Sequence, residues 1–378
     1  MDYKIKLSTP HMGGTELDYV QKAFNENWIA PVGSNILDFE KALEDYLGEN
    51  SYVAALSSGT AAIHLALILA GVEKDDEVIC QSLTFAASAF PILYLGAKPI
   101  FVDSEKDTWN MCPDFLEQAI ISRISYRKKP KAIIVVDVFG MPAKMEEIVA
   151  VANKYNIPLI EDAAEALGSE YKGRKCGTFG DYGILSFNGN KIITTSGGGA
   201  LVCRSLGAKE KAVFLATQAK DKAPHYQHSE LGFNYRLSNI LAGIGLGQME
   251  LLNRHVKKRR EMNQFYKILF KPFSYINVFD EFSAASYSNH WLTSFVFSAN
   301  KNDKNAEEMR LYLENHSIEA RAIWKPLHLQ PVFKDYLFFG ETVAEGIFES
   351  GLCLPSGSNL NESEKKTIAK TIREYLNS

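Results

Sequence analysis

One lysine stands in an unusual position in the sequence. The stretch from Ser186 to Gly199 reads SFNGNKIITTSGGG, so Lys191 lies between an apolar run and three consecutive glycines. Most lysines are solvated and take no part in chemistry. An amine at such a place can also act as a nucleophile that bonds to a carbonyl compound. Other polar segments of the chain decide between these two interpretations.

Two further segments carry groups that a phosphorylated aromatic ligand needs. In SSGTAAIHLAL, Gly59 and Thr60 follow an apolar run and open a helical pattern, and free backbone N–H groups at the start of a helix bind phosphate. An ordinary helix cap by Ser or Thr explains the same pattern. In SLTFAASAF, Phe85 is either a core aromatic or a ring on which a ligand can stack.

An acidic pair follows another apolar run. IPLIEDAAEALGS places Glu161 and Asp162 at the end of a predicted buried strand, where an unpaired carboxylate is costly. Asp162 is either a helix cap or a functional acid. A phosphate site, a stacking ring, a carboxylate and a lysine are together what pyridoxal 5′-phosphate (PLP) requires, so the combination predicts this cofactor.

Alternating strands and helices must position these groups. Short β-branched runs cover 51–58, 77–84, 98–104, 131–140, 157–165, 182–188 and 199–205. Helical spacing between several of them predicts an α/β fold with a seven-stranded, mainly parallel sheet. Ligands of such sheets bind beyond the carboxyl ends of the strands, which is where the candidate residues lie.

The last third of the sequence predicts a second, smaller unit. From Ser238 the pattern is one long helix, whose apolar first half gives way to a basic cluster from Lys257 to Arg260 that we interpret as a solvated helix face. Mixed strand and helix patterns follow. We predict a large PLP-binding domain over 1–250 and a small C-terminal α/β domain over 251–378.

Composition argues against several classes of function. The chain has 378 residues, 46% of them hydrophobic, and a formal net charge of −4 without a long basic block, so we expect no binding to nucleic acid or membrane. Five cysteines form no CxxC pair, which predicts neither a disulfide framework nor a metal site. The longest apolar run is too short to span a bilayer, and we expect a cytoplasmic protein.

The segments SSGTAA, TFAAS, EDAAEALGS, SFNGNK, GGGALV and GFNYRLSN occur in an order that resembles the sugar aminotransferases of the DegT/DnrJ/EryC1/StrS family. These enzymes have the fold of the aspartate aminotransferase superfamily (PLP type I), and the resemblance covers nearly the whole chain. It implies that Lys191 bonds covalently to PLP, that Asp162 pairs with the pyridine nitrogen, and that Phe85 stacks on the ring.

The resemblance also implies a phosphate site and an assembly. Gly59, Thr60 and Ser186 would hold the phosphate. Asn234, in the GFNYR segment, would reach the phosphate bound by the partner subunit, which implies a homodimer with shared active sites. Glu165, where many family members have Gln, is expected at the cofactor as well.

The reaction implied by the resemblance moves an amino group from glutamate to a nucleotide-linked 4-keto-6-deoxy sugar. The SFNGNK form resembles the branch that aminates C4 of UDP-linked 4-keto-6-deoxy-N-acetylhexosamines, as in bacillosamine synthesis. Trp28, Arg321, Lys325 and His328 match positions near the nucleotide sugar. A structural role suits His328 equally well.

Two alternatives share the cofactor. A PLP-dependent lyase of sulfur amino acid metabolism has the same fold but lacks the nucleotide-sugar segments. A non-catalytic PLP-binding regulator would carry a DNA-binding module, which we do not find in the sequence. Family members that are dehydratases have His in place of the lysine, and Lys191 argues against that activity.

Overall fold

The computed structural model describes residues 3–298 and 304–378. Its strands are β1 (Tyr52–Leu56), β2 (Glu77–Gln81), β3 (Lys98–Val102), β4 (Ala132–Val136), β5 (Leu159–Asp162), β6 (Glu170–Tyr171), β7 (Arg174–Lys175), β8 (Tyr182–Ser186), β9 (Gly199–Cys203), β10 (Ile276–Val278), β11 (Ser286–Tyr287), β12 (Thr293–Phe297), β13 (Arg321–Ala322), β14 (Phe338–Phe339) and β15 (Gly351–Leu354).

The α-helices are α1 (Glu16–Asn25), α2 (Ser34–Leu47), α3 (Gly59–Leu69), α4 (Phe90–Tyr94), α5 (Pro113–Ser125), α6 (Met145–Tyr155), α7 (Leu206–Ala216), α8 (Asn239–Met249), α9 (Leu252–Phe270), α10 (Ala306–Asn315), α11 (Val343–Ser350) and α12 (Glu362–Asn377). Among the described residues, no helix is both long and apolar enough to cross a membrane.

The seven predicted strands lie side by side in one sheet, in the order β1-β9-β8-β5-β4-β2-β3, and the short β14 extends its edge. Neighbours from β8 to β3 pair in parallel, whereas β9 runs antiparallel to both β1 and β8. The predicted mainly parallel sheet is therefore confirmed. Because the parallel strands end at one edge, the segments that follow β1, β2, β5 and β8 meet there.

Both faces of the sheet are buried, which explains its continuous apolar strands. Side chains alternate along each strand. On β4, Ile134 packs into the cluster that includes α3, while Ile133 and Val135 pack into the cluster that includes α5 and α6. This double burial fixes the strand ends, and with them the residues that follow each strand.

The C-terminal residues form a second sheet, in the order β10-β12-β15-β13. Its apolar side chains join those of α9, α10 and α12 in one buried cluster, which also contains Ile5 from the start of the chain. The N-terminal segment is thus part of this cluster. The division into domains at residue 250 stays a prediction.

The structure corrects two expectations about the segment after Ser238. The predicted single helix is two helices, α8 and α9, which are separated at Glu250 and Leu251. The basic cluster is not a uniformly solvated face, because Arg259 is only 1% exposed. Arg259 lies three residues from both Val256 and Met262, so it shares the buried side of α9.

Candidate active site

One cavity of about 720 Å³ opens beyond the carboxyl ends of β1, β2, β5 and β8. Most of the predicted site residues line it: Gly59, Thr60, Phe85, Asp162, Glu165, Ser186, Lys191 and Arg321. These residues are far apart in the sequence, and the common edge of the parallel strands brings them together.

Lys191 enters the cavity wall from the segment that follows β8. Its Nζ donates a hydrogen bond to Glu165 Oε1 at 3.0 Å and lies 4.2 Å from the centre of the Trp291 ring. The Lys191 side chain is only 13% exposed and that of Glu165 only 4%. Burial raises the pKa of Glu165, and the charge of Lys191 opposes this rise. Lys191 is therefore a held amine and not a solvated loop residue.

Asp162 ends β5 and faces the same cavity. Its Oδ2 accepts a hydrogen bond from Ser88 Oγ at 2.7 Å, and its Oδ1 accepts a longer one from Ala164 N at 3.2 Å. Burial raises the pKa of Asp162, while the Ser88 hydrogen bond lowers it. Residues 164–168 form turns, so Asp162 does not cap an α-helix. A buried carboxylate with so few donors suits a ligand that offers an N–H group or a positive charge.

The start of α3 provides backbone donors. Ser58 caps the helix, since its Oγ accepts from Ala61 N at 3.0 Å. Within the described chain, the N–H groups of Gly59 and Thr60 donate to no protein acceptor, as expected for the first residues of a helix. We call Ser58–Thr60 the α3 turn. The predicted cap and the predicted free N–H groups thus occur together.

A glycine lets β9 approach the α3 turn. A Cβ atom added at Gly199 would lie 2.3 Å from the Gly59 nitrogen, which is too close for any other residue. Ser186 adjoins the same turn, because a Cβ atom on Gly59 would lie 3.3 Å from the Ser186 Cβ. The last glycine of the GGG run and the end of β8 therefore shape this part of the cavity.

Aromatic and charged side chains complete the wall. Phe85 is 60% exposed, which excludes a core role, and its ring centre lies 5.9 Å from that of Trp324. Arg321 donates from Nε and Nη2 to Glu319 Oε1, at 2.9 and 2.6 Å. The cavity thus carries an accessible ring and a partly neutralised guanidinium.

Three predicted residues lie outside this wall. Trp28 is half exposed between α1 and α2, and its carbonyl oxygen accepts from Asn239 Nδ2 at 2.9 Å. Asn234 is exposed in a backbone bridge with Thr217, and Lys325 is exposed after β13. Their predicted roles toward cofactor or substrate stay predictions.

His328 also lies outside the wall. Its Nδ1 is 2.6 Å from Ser82 Oγ and its Nε2 is 3.2 Å from Glu345 Oε1. The ring stacks on Phe338, with the ring centres 3.8 Å apart. These contacts satisfy both nitrogens, so the structural alternative accounts for this residue without a ligand.

The structure adds residues that sequence reasoning missed. Ser88 holds Asp162, and Thr84 Oγ1 lies 2.9 Å from Ser88 Oγ. Ser88 belongs to the TFAAS segment, and its spacing of three from Phe85 was the available signal. Trp291, beneath the Lys191 amine, stands in no recognised motif.

The chemical groups that line the cavity fit PLP. The α3 turn offers free N–H groups to a phosphate, the Asp162 carboxylate has room for a further donor, and Lys191 offers an amine. These three groups would hold the cofactor at its phosphate, ring nitrogen and carbonyl carbon.

Comparisons with known proteins agree with this chemistry. Residues 10–373 match the model of the DegT/DnrJ/EryC1/StrS aminotransferase family. The chain is 50% identical over 376 residues to EpsN of Bacillus subtilis (strain 168), named as a pyridoxal phosphate-dependent aminotransferase, with 98% of this chain and 96% of EpsN covered. It is 35% identical over 371 residues to the GDP-perosamine synthase of Escherichia coli O157:H7, with 98% of each covered.

A solved structure extends the agreement to the fold. The PLP-form of Spr1654 from Streptococcus pneumoniae, described as a sugar aminotransferase, matches with a TM-score of 0.89 and 25% identity over 98% of each chain. The predicted family, fold and cofactor are confirmed. The chain belongs to the DegT/DnrJ/EryC1/StrS family of PLP-dependent nucleotide-sugar aminotransferases.

Proposed function

We propose that this enzyme transfers the amino group of glutamate to a nucleotide-linked 4-keto-6-deoxy sugar, with a UDP-linked N-acetylhexosamine as the leading acceptor. The observation that supports it most is the meeting of a held amine, a donor-poor carboxylate and the α3 turn in one cavity. That set serves amino-group transfer through PLP.

Lys191 is proposed as the covalent attachment point and the mobile proton carrier. When bound, PLP supplies a carbonyl group that carries the amino group and a ring that withdraws electrons. Once its amine is free, Lys191 would be able to accept a proton and return it during the transfer. Glu165, at 3.0 Å, gives the charged amine a partner between these steps.

Asp162 is proposed to keep the pyridine nitrogen protonated, because a buried carboxylate favours a positive charge next to it. Ser88 fixes the direction of the carboxylate. The α3 turn and Ser186 would receive the phosphate, and the exposed face of Phe85 would stack on the ring. Each role uses a group that the protein itself leaves unsatisfied or accessible.

The acceptor sugar is proposed to enter past Arg321, which lines the cavity and suits the phosphates of a nucleotide sugar. The predicted roles of Trp28, Lys325 and His328 have no support from this cavity. The 35% identity to a GDP-perosamine synthase supports a GDP-linked keto sugar as a second candidate acceptor.

The purified, PLP-loaded protein tests this proposal directly. We expect glutamate to bleach its yellow colour, and a UDP-linked 4-keto-6-deoxy sugar to restore the colour and yield an amino sugar detectable by mass spectrometry. The GDP-linked analogue is the parallel substrate, and Lys191→Ala is the inactive control. Bleaching without amination of either sugar would contradict the proposed acceptor and leave the glutamate step standing.

We further propose a homodimer in which Asn234 completes the partner's site. Trp28, Ile29 and Val32 are each about half exposed, and such an apolar patch is typical of a covered surface. Asn234 is exposed, while the carbonyl of the next residue, Tyr235, accepts from Ser57 N at 2.7 Å. This bond anchors the segment to Ser57, next to the α3 turn of its own chain, while Asn234 itself stays accessible to a partner subunit.

Mixed dimers test the shared site. A heterodimer of Lys191→Ala and Asn234→Ala chains would carry both changes in one site and neither in the other. We expect up to about half of its sites to be active, so mixing two impaired proteins should restore activity above either parent. If heterodimers form and activity stays at parental levels, Asn234 serves its own subunit.

A further inference from the structure

One cation of the basic cluster on α9 is buried. Arg259 is the largest fully buried side chain of the described residues, and no carboxylate there lies within ion-pair distance of it. Burial lowers its pKa to about 9. A cation is seldom buried without a counter-ion, because the loss of hydration is costly. The position therefore calls for an explanation beyond packing.

The hydrogen bonds of Arg259 lead to the cavity wall. Its Nη1 donates to the carbonyl oxygen of Trp291, and its Nη2 donates to Ser8 Oγ at 2.9 Å. Trp291 and Ser8 both line the cavity, although Arg259 itself does not. The guanidinium thus fixes two wall residues that lie far apart in the sequence.

Both wall residues converge on the segment 187–198 between β8 and β9, which we call the lysine loop. Ser8 Oγ donates to the Asn190 carbonyl at 2.8 Å, and Trp291 Nε1 donates to the same oxygen at 2.7 Å. Asn190 directly precedes Lys191, whose Nζ lies 4.2 Å from the Trp291 ring centre. One planar guanidinium therefore sets the backbone before the lysine and the ring beneath its amine.

A simpler interpretation is that Arg259 only ties the N-terminal segment to the C-terminal cluster. Ile5 already joins those two parts by apolar packing, and Leu7 N donates to Glu319 Oε2 at 2.8 Å. A tie of that kind needs no buried charge. A rigid fork of donors is what is required to hold two acceptors in fixed directions.

We propose that Arg259 is a positioning residue for Lys191, which it aligns through Ser8, Trp291 and the Asn190 carbonyl. The inference rests on the proposed covalent role of Lys191. It predicts that loss of Arg259 slows the bonding of Lys191 to PLP. The initial docking of PLP should not change, because the α3 turn lies on a different element.

Stopped-flow mixing of PLP with the PLP-free protein separates the docking of PLP from its bonding to Lys191. The absorption change that accompanies covalent attachment of PLP to Lys191 is followed at increasing PLP concentrations. Arg259→Met should lower the maximal rate by roughly tenfold or more while the half-saturating concentration stays the same, since small misplacements of a reacting group are costly. Trp291→Phe keeps a ring but loses the Nε1 donor, and should shift the maximal rate in the same direction.

Lys258→Met is the matched control. Lys258 is the preceding residue on the same helix, and its exposed side chain pairs with Glu261, away from Trp291 and Asn190. We expect its capture kinetics to stay within about twofold of the wild type, which is the range of an ordinary surface change. Thermal unfolding of each variant confirms that the protein is folded at the assay temperature.

A folded Arg259→Met protein with wild-type capture kinetics would overturn the inference and leave Arg259 as a structural tie. If Arg259→Met does not fold, Trp291→Phe and Ser8→Ala decide, and wild-type maximal rates in both would equally overturn it. Lys191→Ala should still dock PLP, but after borohydride reduction mass spectrometry should find no stoichiometric covalent attachment of the cofactor. Stoichiometric attachment in that variant would refute the covalent role of Lys191 itself, and the role of Arg259 with it.

Discussion

Glu161 and Asp162 are consecutive acids on β5, and their surroundings differ sharply. Because side chains alternate along a strand, one points into the cavity and the other points away from it. Glu161 accepts from the backbone N–H groups of Gly177, Phe179 and Gly180, at 2.6, 2.6 and 3.3 Å. Asp162 has one hydroxyl donor and one long backbone donor.

The difference separates a structural acid from a proposed functional one. Burial raises the pKa of both, but three fixed N–H groups oppose this in Glu161 and already occupy both of its oxygens. Glu161 therefore stabilises the 177–180 segment and does not line the cavity in which a ligand would bind. Asp162 keeps acceptor capacity on the cavity side. A functional buried acid is recognised here by the donors that it lacks.

The largest expected effect is on activity, in Asp162→Asn. The change keeps the size and the Ser88 contact but removes the charge proposed to hold the ring nitrogen protonated, so single-turnover bleaching by glutamate should slow by roughly three orders of magnitude. The midpoint of thermal unfolding should change little. A bleaching rate equal to that of the wild type would refute the proposed role.

Glu161→Gln should show the opposite pattern. The amide offers one acceptor oxygen and turns an NH2 group toward backbone donors, so we expect a loss of about 2 kcal/mol in the free energy of unfolding, measured in urea. The bleaching rate of the folded protein should stay near that of the wild type. A variant that stays fully stable but bleaches slowly would reverse the assignment of the two acids.

The sequence predicted the sheet because its signals are local. Each strand and each helix can be predicted from the pattern of its own residues. Because parallel strands end at a common edge, Gly59, Phe85, Asp162 and Lys191 are then expected to lie together. The family resemblance added the roles of these residues. It did not show which of them the protein leaves unsatisfied.

The remaining features depend on contacts between distant segments. Trp291 lies beneath Lys191 because the segment before β12 contacts the loop after β8. Arg259 is buried because one face of α9 packs against the cavity wall. A run of basic residues is typical of a solvated face, so the pattern predicted an exposed Arg259, whereas the residue is buried. Glu161 likewise shows its role only through the backbone of 177–180.

A third buried acid, Asp137, lies next to Glu161. Asp137, Cys176 and Glu161 are all buried, and a carboxylate oxygen of each acid and the Cys176 sulfur lie within 4.8 Å of one another. Asp137 Oδ1 accepts from Ala143 N at 2.9 Å, whereas its Oδ2 meets no protein donor in the described residues. Burial and the charge of Glu161 raise the pKa of Asp137 well above its usual range. We infer that Asp137 keeps its proton and donates a hydrogen bond to Glu161.

Asp137→Asn gives the smallest predicted effect and tests this shared proton. Above the pKa of an ordinary aspartate the unfolded chain has released the proton that native Asp137 keeps, so the wild type loses stability as pH rises, by up to about 1.4 kcal/mol per pH unit until the raised pKa is reached. Asn donates the same hydrogen bond without a proton to release. The free energy of unfolding in urea should be measured for both proteins at about pH 5 and about pH 8. Relative to the wild type, Asp137→Asn should be more stable at the higher pH than at the lower one by roughly 1 kcal/mol or more. A constant difference would mean that Asp137 is ionised in the native protein.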